Sequence, residues 1–389
     1  MKLRKWQTKA FKVWWELKRG IVKVVTGGGK TYFAIYIINK YIEMFPNHKV
    51  LIVVPTIQLL DQWSFEIKKI LNLNQDLNGG GFKSKKINQI TISTLGSLKN
   101  IYSDFDDKKT FLIVDECHKL GTNKKGEMLE QKWPATLGLS ATPEREFDEN
   151  FEKIIEPILG NIIFNYDYIE AYKDGVISNF KLVNAYAPLM ENEDVEYEKV
   201  TKKINKRIAI LGEFDKNDAG LKLLLFKRAR IVNNALNRIP LGIKLIKKYK
   251  AYKKWIVFCE SKKQASIFNE FLNKNNFRSA IYNTDLSKNF RFKNLIEFKE
   301  DMLDAIVTCK ALDEGFDYPN IDAALIVSSS SSNRQRIQRI GRALRISENK
   351  INSLIITIYS SDSEFKKLKD ESLEFTGEGI EVSWTKLKS

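Results

Sequence analysis

Three short strings in this chain carry side chains suited to phosphate chemistry. Residues 26–31 read TGGGKT, residues 115–118 read DECH and residues 338–345 read QRIGRALR. The first has the makings of a phosphate-holding loop. Thr26 opens it, and Gly27, Gly28 and Gly29 let the backbone wrap closely and aim amides at phosphate oxygens. Lys30 would reach the β- and γ-phosphates of ATP, and the Thr31 hydroxyl would bind Mg2+. The full pattern asks for glycine at position 24, where the chain has Val24. In the second string, Asp115 follows the apolar run FLIV. A carboxylate at a strand end beside such a loop can hold the Mg2+ shell, and Glu116 can orient and deprotonate the attacking water. In the third, Arg342 and Arg345 stand three apart on an expected helix, hence on one face. Arginines offered from another domain stabilise charge on a transferring γ-phosphoryl group. Each string has a plainer reading: a glycine turn, an acidic turn and a solvated basic helix. Their joint presence argues against all three.

The elements that must position these residues follow from hydrophobic patterning. Between residues 20 and 165, short β-branched runs alternate with helical stretches. Residues 21–25, 50–54, 87–93, 111–115 and 137–140 read as buried parallel strands, and 32–43 and 58–71 as crossover helices. Ligands of such open sheets bind outside the carboxyl ends of the strands, where the first two strings fall. The glycines at 79–81, followed by basic 83–86, read as a loop. A second alternation begins near residue 255. Its expected strands are 255–259, 279–282, 305–308, 323–327 and 354–359, and its expected helices 264–273 and 334–343. Between the two, acidic 191–198 leads into basic helical stretches at 202–207 and 221–238. The expected organisation is therefore α/β: an N-terminal domain over 1–180, a helical insert over 181–240, a second open-sheet domain over 241–360 and a short appendage over 361–389.

Composition narrows the partners. With 389 residues and 43% hydrophobic content, the chain can bury real cores, which argues against disorder. Its 64 basic and 48 acidic residues leave a formal charge of +16, which favours a polyanion, although a lysine-rich solvated surface gives the same sum. Cys117, Cys259 and Cys309 lack CxxC spacing, which argues against a zinc site or a disulfide framework. No apolar run reaches membrane-spanning length and the first residues lack a secretory core, so a cytoplasmic protein with no membrane partner is expected.

TGGGKT, DECH, SAT at 140–142 and QRIGRALR, in this order and spacing, resemble the superfamily 2 helicases and translocases of the DExH type. The resemblance covers about residues 3–359 and implies two RecA-like domains. LRKWQ at 3–7 is similar to the family's adenine-reading element, which implies an adenine contact for Gln7; Lys5 stands where the family has proline. VVPTIQLLDQW at 53–63 and TISTLGSL at 91–98 resemble motifs Ia and Ib, which implies that Pro55, Thr56 and Thr94 face nucleic-acid phosphates. Such contacts position a strand without reading its sequence. Thr56 reads equally as a helix cap. SAT resembles motif III, so Ser140 and Thr142, with His118 and Gln338, would couple nucleotide state to domain closure. FCES at 258–261 resembles motif IV, giving Ser261 a nucleic-acid contact. TCKALDEGFDYP at 308–319 resembles motif V: Thr308 would touch the nucleic-acid backbone, while Gly315 and Asp317 would face ribose and phosphates. Gln338, Arg339, Arg342 and Arg345 match motif VI.

Within the superfamily, SATPERE and the run from GFDYP to RALR look most like the XPB-like, phage and restriction-subunit group. Arg145 and Glu146 resemble the start of that group's charged loop near the unwinding point, with Phe147 intervening before Asp148. The basic insert falls where the group carries a DNA-gripping helical thumb. The favoured reading is an ATP- and Mg2+-dependent DNA helicase of 3′-to-5′ polarity on single-stranded or forked DNA. A duplex or branched-DNA translocase serving the protein partners of a restriction, defence or repair complex is a second reading. An RNA helicase and a nucleotide-gated clamp are the others. Trp14, Trp15, Trp63 and Trp133 are expected in cores or between domains rather than against bases.

Overall fold

The computed structural model describes the chain except residues 84–87, 102, 104, 107, 123–128, 131, 144–150, 177–178, 216–217, 310–320, 329–352, 375–379 and 387–389. The chain divides into two compact units that part near residue 178. In the first unit, α1 (Lys5–Leu17) precedes β1 (Arg19–Val24), α2 (Lys30–Met44), β2 (Lys49–Val54), α3 (Ile57–Leu71), β3 (Gln75–Gly79) and β4 (Phe82–Lys83). There follow β5 (Ile90–Thr94), β6 (Thr110–Asp115), β7 (Ala135–Ser140), α4 (Glu156–Leu159), β8 (Ile162–Tyr166) and α5 (Tyr168–Lys173). The sheet order is β4-β3-β5-β2-β6-β7-β1-β8, parallel apart from the β3–β4 pair. Strands β2 and β6, KVLIVV and TFLIVD, are buried almost throughout, as continuous β-branched runs are when both sheet faces are covered. Pairings Asp115↔Leu139 and Lys23↔Ser140 bring the carboxyl ends of β6, β7 and β1 together. Trp14, Trp63 and Trp133 are core residues, whereas Trp15 is half-buried.

The second unit starts with β9 (Phe180–Tyr186), α6 (Glu191–Leu211), α7 (Ala219–Asn233) and α8 (Arg238–Lys248). It continues through β10 (Trp255–Phe258), α9 (Lys262–Lys274), β11 (Ser279–Tyr282), α10 (Lys288–Lys299), β12 (Ala305–Thr308) and β13 (Ala323–Ile326). Beyond these lie β14 (Ser353–Tyr359), α11 (Asp362–Glu374) and β15 (Ile380–Lys386). The order is β11-β12-β10-β13-β14-β9-β15, and every described pairing is parallel. Each unit is thus a RecA-like parallel sheet flanked by helices.

A fully buried arginine ties the second unit together. Arg238 donates from Nε to Val232 O, from Nη1 to Val327 O and Ile358 O, and from Nη2 to both oxygens of Glu364, at 2.6–2.9 Å. Helices α6 and α7 share a small apolar cluster of Val200, Ile204 and Leu221. Asp218 accepts from Leu221 N at 2.6 Å, capping α7, and takes Arg207 Nε and Nη2 at 3.0 and 2.6 Å.

The structure departs from the expected boundaries in two places. Residues 181–186, assigned to a helical insert, belong to β9, because their apolar side chains pair against β14. Residues 361–389, expected to be an appendage, supply α11 and the strand β15, which is hydrogen-bonded to β9. The glycines at 79–81 do form the expected loop, as the turn from β3 into β4, and the strands on either side of it make an edge hairpin beside β5. Its strand QDLNG has no β-branched residue to announce it.

Candidate nucleotide site and nucleic-acid face

The loop after β1 is shaped by its glycines. Gly27 and Gly29 hold φ of 86° and 97°, the left-handed region that other residues resist, and Gly29 caps α2. At Gly28 a Cβ would stand 2.6 Å from Val24 Cγ1 and 3.1 Å from Val25 O. Val24 therefore replaces the expected glycine by using the space that Gly28 leaves open. The loop's carbonyls are turned toward α1. Arg4 Nη1 and Trp6 Nε1 both donate to Gly28 O at 3.2 Å, and Gln7 Nε2 donates to Gly29 O at 3.1 Å. This bracing leaves the first-turn amides of α2 to a ligand, since an α-helix gives them no internal partner. Thr31 lies on that first turn. Thr26 Oγ1 is buried and has no hydrogen-bond partner among the described residues, a polar atom in want of an acceptor such as phosphate.

Gln7 is almost fully buried, and its Oε1 accepts from Arg4 N at 2.8 Å. Both ends of its amide are thus engaged by main chain; an adenine would have to use the second Nε2 hydrogen or the spare lone pair.

Lys30 Nζ is held loosely, 3.4 Å from Val24 O and 3.8 Å from Glu116 Oε1. Asp115, the last residue of β6, is buried. Its Oδ2 accepts from Trp63 Nε1 at 2.8 Å and its Oδ1 from Glu116 N at 2.9 Å. Burial, then the neighbouring Glu116 charge, pushes the Asp115 carboxyl up to about 6 against the pull of Lys30. A divalent cation would relieve that strain. Glu116 takes φ of 48°, rare for a non-glycine residue and a known sign of a functional corner. Its Oε2 lies 3.3 Å from His118 Nδ1, which is 3.0 Å from Ser140 Oγ; that oxygen accepts from Thr142 N at 3.1 Å. Lys30, Glu116, His118, Ser140 and Thr142 thus form one line of contacts across three strand ends. The Thr142 hydroxyl is buried without a partner among the described residues. Thr31, on the first turn of α2, and Asp115, at the end of β6, carry oxygens of the kind that would hold a Mg2+ ion brought in with a nucleotide.

Along the same sheet edge, Val54↔Thr94 pairing sets Pro55 and Thr56 beside Thr94. Thr56 Oγ1 caps α3 by accepting from Leu59 N at 3.3 Å, and Thr94 Oγ1 donates to Ser97 Oγ at 3.1 Å. In the second unit, Phe258↔Thr308 pairing puts Thr308 at the strand end preceding Ser261, and Ser261 caps α9 through Gln264 N. Thr308 is fully covered. Gly315, Asp317, Gln338, Arg339, Arg342 and Arg345, and the charged stretch from Arg145 to Asp148, lie outside the described residues.

Three residues of the site escaped the sequence reading: Arg4 and Trp6, which brace the loop, and Trp63, which holds Asp115. The available signals were slight. Arg4 and Trp6 sit inside LRKWQ itself, and Trp63 closes the DQW of the motif Ia stretch.

Residues 1–145 match the family described as type III restriction enzyme, res subunit, and residues 237–347 match the helicase conserved C-terminal domain. The chain is 30% identical over 363 residues to DNA 3'-5' translocase XPB2 of Sulfurisphaera tokodaii, covering 89% of this chain and 79% of that protein. It is 25% identical over 392 residues to putative helicase 22 of Sulfolobus islandicus filamentous virus, covering 96% and 67%. The Pyrococcus furiosus Hef helicase domain superposes with a TM-score of 0.63 at 15% identity, covering 95% and 98%, a likeness of fold. Among the described residues, no helix is long and apolar enough to cross a membrane.

Proposed function

We infer the chemistry from one premise: the chain belongs to the superfamily 2 helicases related to XPB and to restriction subunits. It is an ATP-dependent DNA helicase or translocase. From that premise each residue of the site takes a part in the cycle of hydrolysis and movement.

Bound ATP and Mg2+ supply the transferable phosphoryl group and the cation that neutralises it. The amides at the start of α2 and the Lys30 ammonium hold the β- and γ-phosphates. Thr31 and Asp115 hold the cation, and Glu116 orients a water and takes its proton. Arg342 and Arg345 complete the charge clamp. Pro55, Thr56 and Thr94, with Ser261, grip one strand through its phosphates, which makes the grip indifferent to sequence and sensitive to salt, while the covered Thr308 supports that face from its strand end. Gln7 meets the adenine, while Gly315 and Asp317 meet ribose and phosphates. His118, Ser140, Thr142 and Gln338 pass the nucleotide's state between domains.

The observation that carries this reading is the unbroken line from Lys30 through Glu116 and His118 to Ser140 and Thr142. It links the phosphate cation, the water-activating carboxylate and the coupling residues within hydrogen-bonding or ion-pair reach. The favoured work is 3′-to-5′ translocation along single-stranded DNA and unwinding of forked DNA inside the cell. The match of residues 1–145 to a restriction subunit supports a second reading, a duplex translocase serving a restriction, defence or repair complex.

The test is ATP hydrolysis with no effector, single-stranded DNA, duplex DNA, forked DNA or RNA, against a Lys30→Ala blank. Stimulation by DNA and not RNA is expected. A larger response to duplex than to single strands selects the translocase, and a response to RNA alone rejects both readings.

A further inference from the structure

The Asp115 carboxylate is aimed by a side chain from another element. Trp63 is fully buried on α3, seven residues after Thr56, or about 10 Å along the helix axis. Its Nε1 donates to Asp115 Oδ2 at 2.8 Å, while Glu116 N holds Oδ1 at 2.9 Å. Two donors on the protein side fix the carboxylate plane and leave the remaining lone pairs for a cation. An indole N–H only donates, so it cannot exchange roles with its partner.

The plainer reading is a core tryptophan that has satisfied its one polar atom. The other buried indoles show how that is ordinarily done here. Trp6, Trp14, Trp133 and Trp255 give their N–H to the main-chain carbonyls of Gly28, Thr136, Leu129 and Tyr252. Trp63 instead donates its N–H hydrogen bond to the carboxylate assigned to the cation. It does so from a helix whose first turn carries the expected strand contact at Pro55 and Thr56.

We propose that Trp63 is a positioning residue that aims Asp115 at Mg2+ and ties that aim to the seat of α3. Strand occupancy at the start of α3 and occupancy of the nucleotide–cation site then favour one another, reciprocally, as linked binding requires. This rests on the ATP and DNA reading above.

The test uses the full chain with 3-benzothienylalanine inserted at position 63. That side chain keeps the bicyclic shape and puts sulfur in place of N–H. Trp63→Phe serves as a second variant, and thermal melting checks both. The readout is the Mg2+ concentration that half-saturates binding of a fluorescent ATP analogue, with and without a single-stranded oligonucleotide. Loss of an outer partner of a cation ligand shifts such midpoints by about tenfold or more. The expected result is that upward shift, unchanged nucleotide binding in chelator, and a weaker effect of the oligonucleotide on nucleotide affinity. A wild-type chain with Mg2+-dependent binding beside folded variants with unshifted midpoints overturns the Trp63 role alone. A wild-type chain that binds no nucleotide with Mg2+ overturns the functional reading and this role together.

Discussion

Each unit encloses a cation at its strand ends, and the two are held in opposite ways. Lys30 has two distant partners, at 3.4 and 3.8 Å, and its side chain retains 12% exposure. Arg238 has none of its surface exposed and makes five hydrogen bonds at 2.6–2.9 Å. A guanidinium saturated by its own chain has nothing left for a ligand and serves as a clasp. An ammonium kept loosely between a carbonyl and a carboxylate is still owed a strong acceptor. The geometry of a buried charge therefore separates function from bracing better than its burial does.

Substitution should separate the two cations cleanly. Lys30→Ala is expected to cut ATP hydrolysis by about 10³-fold, the scale of losing one aimed charge donor, with little change in melting. Arg238→Ala should do the reverse. It strands Glu364 and two strand-end carbonyls, at a cost of about 3–5 kcal/mol in the second unit's stability by denaturant titration. A Lys30→Ala chain that melts early, or an Arg238→Ala chain that does not, would undo the contrast. Ser140→Ala, on the line leading from Lys30, removes the acceptor of Thr142 N and one partner of His118. About 1–3 kcal/mol of local stability should go with it. Stimulation by DNA should fall further than basal hydrolysis does; equal losses would make Ser140 a packing residue.

The smallest effect belongs to the α6–α7 turn, where the charge pair is half-buried. Bonds from Arg207, then from Leu221 N, hold the Asp218 carboxyl down at about 2. The folded value lies below the ordinary carboxylate value, so its contribution is whole above about pH 4 and drains away as pH falls toward 2. Hydrogen exchange of the first α7 amides should quicken over that window. Quickening that begins well above it would assign the turn's order to another group.

The strands that could be read from sequence were those buried on both faces, because there every residue is apolar and many are β-branched, as in LIVV and FLIV. Strands β3, β9 and β15 were missed for two reasons. QDLNG and IEVSWTK alternate or mix polar residues, and β9 stands beside a helical stretch whose pattern swamped it. In the site, residue types and order pointed to Lys30, Asp115 and Glu116, since phosphate chemistry demands those groups at strand ends. Trp63 could not be read in the same way. Its bond to Asp115 spans 52 positions and exists only because β2 and β6 are neighbours and α3 packs back across them. Gln7 was legible as a site residue, but its engagement with Gly29 O and Arg4 N was not, for it depends on how α1 meets the loop.

Strand β9 owes its quiet behaviour to β15. All seven of its residues pair with β14 on one side and with β15 on the other, and most are buried. Without β15, a row of unpaired amides and carbonyls beside an apolar stretch would face solvent, the surface on which foreign strands add and aggregates begin. A segment that reads as a trailing piece of sequence is thus the seal on a sticky edge.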